Sequence, residues 1–108
     1  TAFGRNVSPE WVESELLASG AVAQALVFGD ARPWLGALLV AAPGASADAL
    51  AAAVDAANAR LPDYARVHRW LRADAPFTAA AGDLTANGRP RRDRILARHA
   101  ARIESLYT

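Results

Sequence analysis

The stretch AVAQALVFGDARPWLGALLVAAP (residues 21–43) sets two apolar runs of strand length on either side of a short break. Gly29-Asp30 closes the first run, and Ala31-Arg32-Pro33 leads into the second. Glycine, aspartate and proline are turn formers, so the pattern reads as an antiparallel hairpin. The apolar character of both runs predicts burial on at least one face. Gly36, inside the second run, marks a bulge or a close approach.

Helix signals lie on both sides of this hairpin. Ser8-Pro9 is an N-cap followed by proline at the first helical position. Glu10 and Glu13 complement the dipole of the first turn, Val12, Leu16 and Leu17 share a face, and Ser19-Gly20 supplies the stop. Glu10, Glu13 and Glu15 read as the solvated side of that helix. Residues 44–62, GASADALAAAVDAANARLP, form a second helix with Ser46 as N-cap, Leu50, Val54 and Leu61 as a buried stripe and Pro62 as terminator.

Residues 65–74, ARVHRWLRAD, read as a third strand, placed at an edge by its charges. Residues 75–88 are rich in loop formers, with room for a short strand or hairpin near Phe77-Thr78. Residues 91–107 make one long helix. At about 100° per residue, Ile95, Leu96, His99, Ile103, Leu106 and Tyr107 fall within an arc of roughly 120°. Arg91, Arg94, Arg98 and Arg102 lie beside that arc as a solvated face. The expected fold class is α+β, a small mostly antiparallel three-stranded sheet with about three packed helices.

The chain has 108 residues, enough for one domain with a modest core, and 53% of them are hydrophobic, which excludes a disordered chain. It has no cysteine, so thiolate chemistry and disulfides are excluded, and its two histidines are too few for a metal site. No apolar run approaches the roughly 20 residues of a membrane span, and no signal-peptide pattern opens the sequence. The expectation is a cytoplasmic protein without a transmembrane segment.

All 12 basic side chains are arginine. Residues 1–65 carry 3 of them against 7 acids, whereas residues 66–108 carry 9 against 4, so net charge passes from −4 to +5. A basic C-terminal half suits a phosphate-bearing partner. Nucleic acid is not the expected one, because no aromatic residues interleave with the Arg stripe and the overall charge is +1.

Two segments carry candidate chemistry. In AFGRNVSP (residues 2–9), Gly4 would allow close backbone approach, and Arg5 and Asn6 would add polar contacts; an ordinary loop entering a capped helix is the simpler account of the residues alone. In LTANGRPRR (residues 84–92), Asn87-Gly88 favours a tight turn with positive φ and Pro90 fixes φ just beyond it. Arg89 is held between these two constraints, which suits a loop presenting one cation to an anionic substrate; a solvated turn with a charged helix start accounts for the segment as well. His99 belongs to the apolar arc as a packed, hydrogen-bonded residue.

In order, GRNVSPEWVESELL (4–17), ALVFGDARPWLGALLV (25–40), NARLPDYARVHRW (58–70) and LTANGRPRRDRILARHAARIESLY (84–107) resemble the small C-terminal domain of the adenylate-forming enzymes. The branch they resemble is that of the long-chain fatty acyl-CoA synthetases, and the resemblance covers nearly all of residues 1–108. It implies a mobile domain of an AMP-forming ligase of fatty acid metabolism, which follows a large N-terminal adenylation domain. A carboxylic acid would be activated with ATP and Mg²⁺, releasing pyrophosphate, and the acyl group then passed to CoA. No cofactor is expected on this domain alone, and alone it should be inactive.

By the same resemblance, Gly4, Arg5 and Asn6 match the loop that faces the CoA pantetheine channel. Arg89 stands where the family usually carries its catalytic lysine. Arginine keeps the charge but is broader and planar. The substitution leaves open whether adenylation is slowed, tolerates Arg89, or draws a cation from the large domain. The alternative is an adenylating protein that loads an acyl carrier protein or is catalytically impaired.

Overall fold

A computed structural model describes residues 7–108. Its elements run α1 (Pro9–Leu17), β1 (Val22–Phe28), β2 (Leu35–Ala41), α2 (Ala47–Arg60), a 3₁₀ turn (Asp63–Ala65), β3 (Val67–Arg72), α3 (Arg92–Arg98) and α4 (Ala100–Ser105). The strands form one sheet in the order β1-β2-β3. This is the α+β arrangement the sequence predicts.

The hairpin pairs antiparallel, with Val27 opposite Ala37 and Phe28 opposite Gly36. Its turn is closed by the Arg32 N–H donating to the Gly29 carbonyl at 3.0 Å. β3 pairs with β2 in parallel, so the sheet is mixed. The cause is α2, which carries the chain across the sheet face and returns it in the same direction. Register slips between Leu35 and Gly36 in this pairing. A Cβ at Gly36 would stand 2.6 Å from the Phe28 ring, so the glycine makes room for its cross-strand partner.

Both faces of the sheet are buried. Val27, Leu35, Ala37 and Leu39 pack under Val12 and Leu16 of α1 and Leu50, Ala53, Val54 and Ala57 of α2. Leu26, Phe28, Leu38 and Val40 pack against Phe77, Ile95 and Ile103 on the other side. Val22 joins the first face, three residues before Ala25, because the β1–β2 register slips between Val22 and Gln24. The two caps are as expected: Ser8 Oγ accepts the Trp11 N–H and Ser46 Oγ the Ala49 N–H.

The C-terminal helix departs from expectation. His99, with φ −105° and ψ 15°, separates α3 from α4. Its Nδ1 lies 2.8 Å from the Ile95 carbonyl, the same acceptor its backbone N–H uses at 3.2 Å. A side chain competing for the i−4 carbonyl distorts the ladder there. Ile95 and Ile103 remain buried on both sides of the break. No strand forms at Phe77-Thr78.

Candidate functional site

The segment after β3 folds around Asp83, whose side chain is buried. Its carboxylate accepts the Thr78 N–H at 3.2 Å and pairs with the Arg98 guanidinium. Its backbone N–H donates to the Thr78 carbonyl at 2.9 Å and its carbonyl accepts the Arg91 N–H at 2.7 Å. Asp83 thus ties together, through its carboxylate and its backbone, the segments on both sides of residues 84–90.

Those seven residues make a small hairpin. Leu84 and Pro90 form an antiparallel bridge. The Thr85 N–H donates to the Arg89 carbonyl at 2.8 Å, and the Gly88 N–H to the Thr85 carbonyl at 2.9 Å. The Arg89 N–H donates to Thr85 Oγ1 at 3.1 Å. Gly88 has φ +81°, a left-handed conformation that glycine adopts without strain. The positive φ anticipated for Asn87-Gly88 falls on the glycine.

Arg89 is therefore fixed at its backbone and free at its head. Its side chain is exposed and has no hydrogen-bond or ion-pair partner among the described residues. Most neighbouring arginines are committed: Arg92 to Glu13, Arg98 to Asp83, and Arg102 to the Arg72 carbonyl at 2.9 Å. The stripe read from sequence as a solvated face is thus partly a set of anchors. Arg91 and Arg94 also make no ion pair among the described residues, but Arg94 lies over the backbone of Gly82.

A groove of about 290 Å³ separates the hairpin from α1, lined by Glu10, Ser14, Leu17, Gly88 and Pro90 among others. A larger one, about 510 Å³, opens beside the start of α1 and is lined by Val7, Phe28, Arg32, Arg92, Leu96 and Glu104 among others. Gly4, Arg5 and Asn6 lie outside the described residues, although Val7 and Pro9, which follow them, rim this larger groove.

Sequence reading missed Glu13. It is buried, not solvated. Its carboxylate takes a forked pair of hydrogen bonds from Arg92 and one from the Val27 N–H. The bond to Glu13 raises the Arg92 pKa above its ordinary value, against the opposing effect of burial. At the exposed mouth of this cluster, Glu10 is held below the usual carboxylate value, first by its own backbone N–H and then by Ser8 and Arg92. The available signal was position: Glu13 follows Val12 on the flank of the Val12–Leu16 stripe. Its partner lies 79 residues away.

Chemically, the site offers an exposed guanidinium on a braced hairpin, suited to a carboxylate or phosphate oxygen. No three His, Asp or Glu side chains gather to hold a metal among the described residues. No described helix is long and apolar enough to cross a membrane.

The family profile of the AMP-binding enzyme C-terminal domain matches residues 1–108, and the chain belongs to that family. It is 30% identical to the long-chain-fatty-acid–CoA ligase FadD15 of Mycobacterium tuberculosis over 131 aligned positions, covering 99% of this chain and 22% of that protein. The fold is similar to the A-PCP didomain of carboxylic acid reductase from Segniliparus rugosus in complex with AMP, with a TM-score of 0.84 and 26% identity over 97% of this chain and 16% of that one. It is also similar to unliganded O-succinylbenzoate coenzyme A synthetase from Bacillus subtilis, with a TM-score of 0.61 and 28% identity over 87% of this chain and 18% of that one. The chain thus spans about a fifth of the length of the relatives it matches.

Proposed function

We propose that this chain is the mobile C-terminal domain of an AMP-forming acyl-CoA synthetase-like ligase, working with a large N-terminal adenylation domain of the same protein. The reaction joins a fatty or other carboxylic acid to ATP, releasing pyrophosphate, and then passes the acyl group to CoA in the cytoplasm. The observation that carries this reading is Arg89: a cation unpaired among the described residues, on a hairpin braced by Thr85, Gly88 and Pro90. In adenylation the carboxylate oxygen attacks the α-phosphorus while charge shifts to the departing pyrophosphate. A cation fixed by its backbone stabilises that charge without reorganising.

Mg²⁺ is assigned with ATP to the large domain. Gly4, Arg5 and Asn6 are assigned to the pantetheine channel, where the second half-reaction needs a narrow, polar-lined path for the CoA thiol. No nucleic acid enters this scheme.

ATP–pyrophosphate exchange by the intact protein tests the reading, comparing Arg89 with Arg89→Lys and Arg89→Ala. Loss of the cation should slow exchange on the order of 100-fold, with Arg89→Lys retaining most activity. An unchanged rate in Arg89→Ala would remove Arg89 from catalysis. Residues 1–108 alone should form no acyl-adenylate; detectable adenylate would refute the two-domain requirement.

A second reading, transfer to a carrier protein in place of CoA, is favoured by the similarity to a didomain that joins an adenylating unit to a PCP. Acyl-thioester formation on CoA versus a phosphopantetheinylated carrier protein separates the two.

A further inference from the structure

Residues 79 positions apart meet at the outer edge of β1. Arg92 Nη1 donates to Glu13 Oε2 at 2.7 Å and Nη2 to Oε1 at 2.6 Å. Oε2 also accepts the Val27 N–H at 2.7 Å. Because β1 is the edge strand of the described sheet, this backbone donor has no strand beyond it among the described residues to pair with. α1 packs on one face of the sheet and α3 on the other, so the three groups tie the two helices together around the strand edge.

Exposed ion pairs stiffen a structure little. Here the carboxylate is buried, the guanidinium is forked onto it, and a backbone N–H adds a third donor. Arg92 stands three residues beyond Arg89, and little slack separates them. Pro90 is bridged to Leu84, and the Arg91 N–H is bound to the Asp83 carbonyl. A shift of Arg92 therefore moves the base of the Arg89 hairpin.

We infer that Glu13 is a positioning residue for Arg89: by clamping Arg92 to α1 and to the edge of β1, it sets the height and direction at which the hairpin presents its cation. The inference rests on the reading of Arg89 as the adenylation cation. Glu13 touches no substrate in this scheme. It acts through Arg92, and its loss loosens the placement of the charge without removing it. Misplacement of a catalytic group by about 1 Å costs on the order of 100-fold in rate; partial loosening should cost less.

The test is a double-mutant cycle on pyrophosphate exchange in the intact protein. Glu13→Gln keeps the size of the side chain and an acceptor for the Val27 N–H, but loses the charge and half of the fork. It should lower kcat on the order of tenfold and leave KM for ATP and the acid near wild type. In Glu13→Gln/Arg89→Ala the change at Glu13 should add nothing to the loss of Arg89→Ala alone, since Glu13 acts only through Arg89. A purely structural Glu13 would multiply the two losses, and that result overturns the proposal, as does a wild-type kcat for Glu13→Gln. Should Glu13→Gln fail to fold, Arg92→Lys, which keeps the charge and loses the fork, enters the same cycle with the same expectations. Full exchange activity in Arg89→Ala is a different failure, seen in that single variant: it ends the reading of Arg89 and the positioning role with it.

Discussion

Gln24 on β1 and Phe77 in the loop after β3 exchange two hydrogen bonds: the Phe77 N–H donates to Gln24 Oε1 at 2.8 Å, and Gln24 Nε2 donates to the Phe77 carbonyl at 3.1 Å. The carboxamide imitates a neighbouring strand, which is why Phe77 needs none. It seats the Phe77 ring against Leu26 and Ile95 and fixes where the Asp83 loop begins.

Replacing Gln24 therefore strips both bonds from a partly buried backbone. Gln24→Ala is expected to cost about 1–3 kcal/mol, measured by urea denaturation. Gln24→Glu retains the acceptor for the Phe77 N–H but opposes the carbonyl with a charge, so it should not recover the loss. Wild-type stability in Gln24→Ala would show that water replaces the carboxamide without penalty.

Gly36 and Phe28 should be coupled in the same way. A Cβ at position 36 would fall 2.6 Å from Phe28 Cε1 and 2.9 Å from Cζ. Gly36→Ala should destabilise the domain by about 1–3 kcal/mol through overpacking. With Phe28→Leu in place the same alanine should cost distinctly less, because the obstructing ring is gone. Equal costs in the two backgrounds would move the cause to the Arg69 carbonyl, 3.4 Å from the same Cβ.

Gly88 permits a cleaner separation of backbone from contact. Nothing lies within 4 Å of a Cβ built there, yet φ is +81°. Gly88→Ala should cost about 1 kcal/mol from the left-handed backbone alone, and Gly88→Asn less, since asparagine tolerates that region. Both should retain the fold, and in the intact protein Gly88→Ala should slow pyrophosphate exchange more than Gly88→Asn. Identical rates would detach the turn from placement of Arg89.

What the sequence made legible was local. The Ser8 and Ser46 caps, the Gly29–Pro33 turn and the arc from Ile95 to Tyr107 are each written within a few residues, where propensity and periodicity decide. The parallel direction of β3 was not, because it depends on α2 running back along the sheet and returning the chain beside β2, a long-range pairing that no local pattern specifies. Glu13 and Asp83 look like ordinary surface acids until folding brings Arg92 and Arg98 onto them, across 79 and 15 residues. The break at His99 was hidden for a related reason: the apolar arc continues straight through it, while the ring's claim on the Ile95 carbonyl appears only in three dimensions. The turn around Arg89 was legible, because the glycine and proline that shape it are its sequence neighbours.

The C-terminal tyrosine supplies a pH-dependent test of the packing that closes the domain. The Tyr107 hydroxyl donates to the Trp34 carbonyl at 3.1 Å, its ring stacks on Trp34 at 4.3 Å between centroids, and the Arg32 guanidinium sits 4.6 Å over it. Burial raises its pKa above the ordinary 10.0, and the positive charge of Arg32 opposes the shift only in part. The folded state therefore holds the phenol proton more tightly than the unfolded chain does. The resulting stabilisation is fully present below about pH 10 and is lost as pH rises through the higher folded-state value. Denaturation midpoints followed upward from neutral pH should fall above about pH 10 in the wild type. Tyr107→Phe should lose about 1 kcal/mol at neutral pH with the hydrogen bond, and its alkaline decline should be shallower. Parallel alkaline slopes for the two proteins would show that Tyr107 ionises as readily in the fold as outside it.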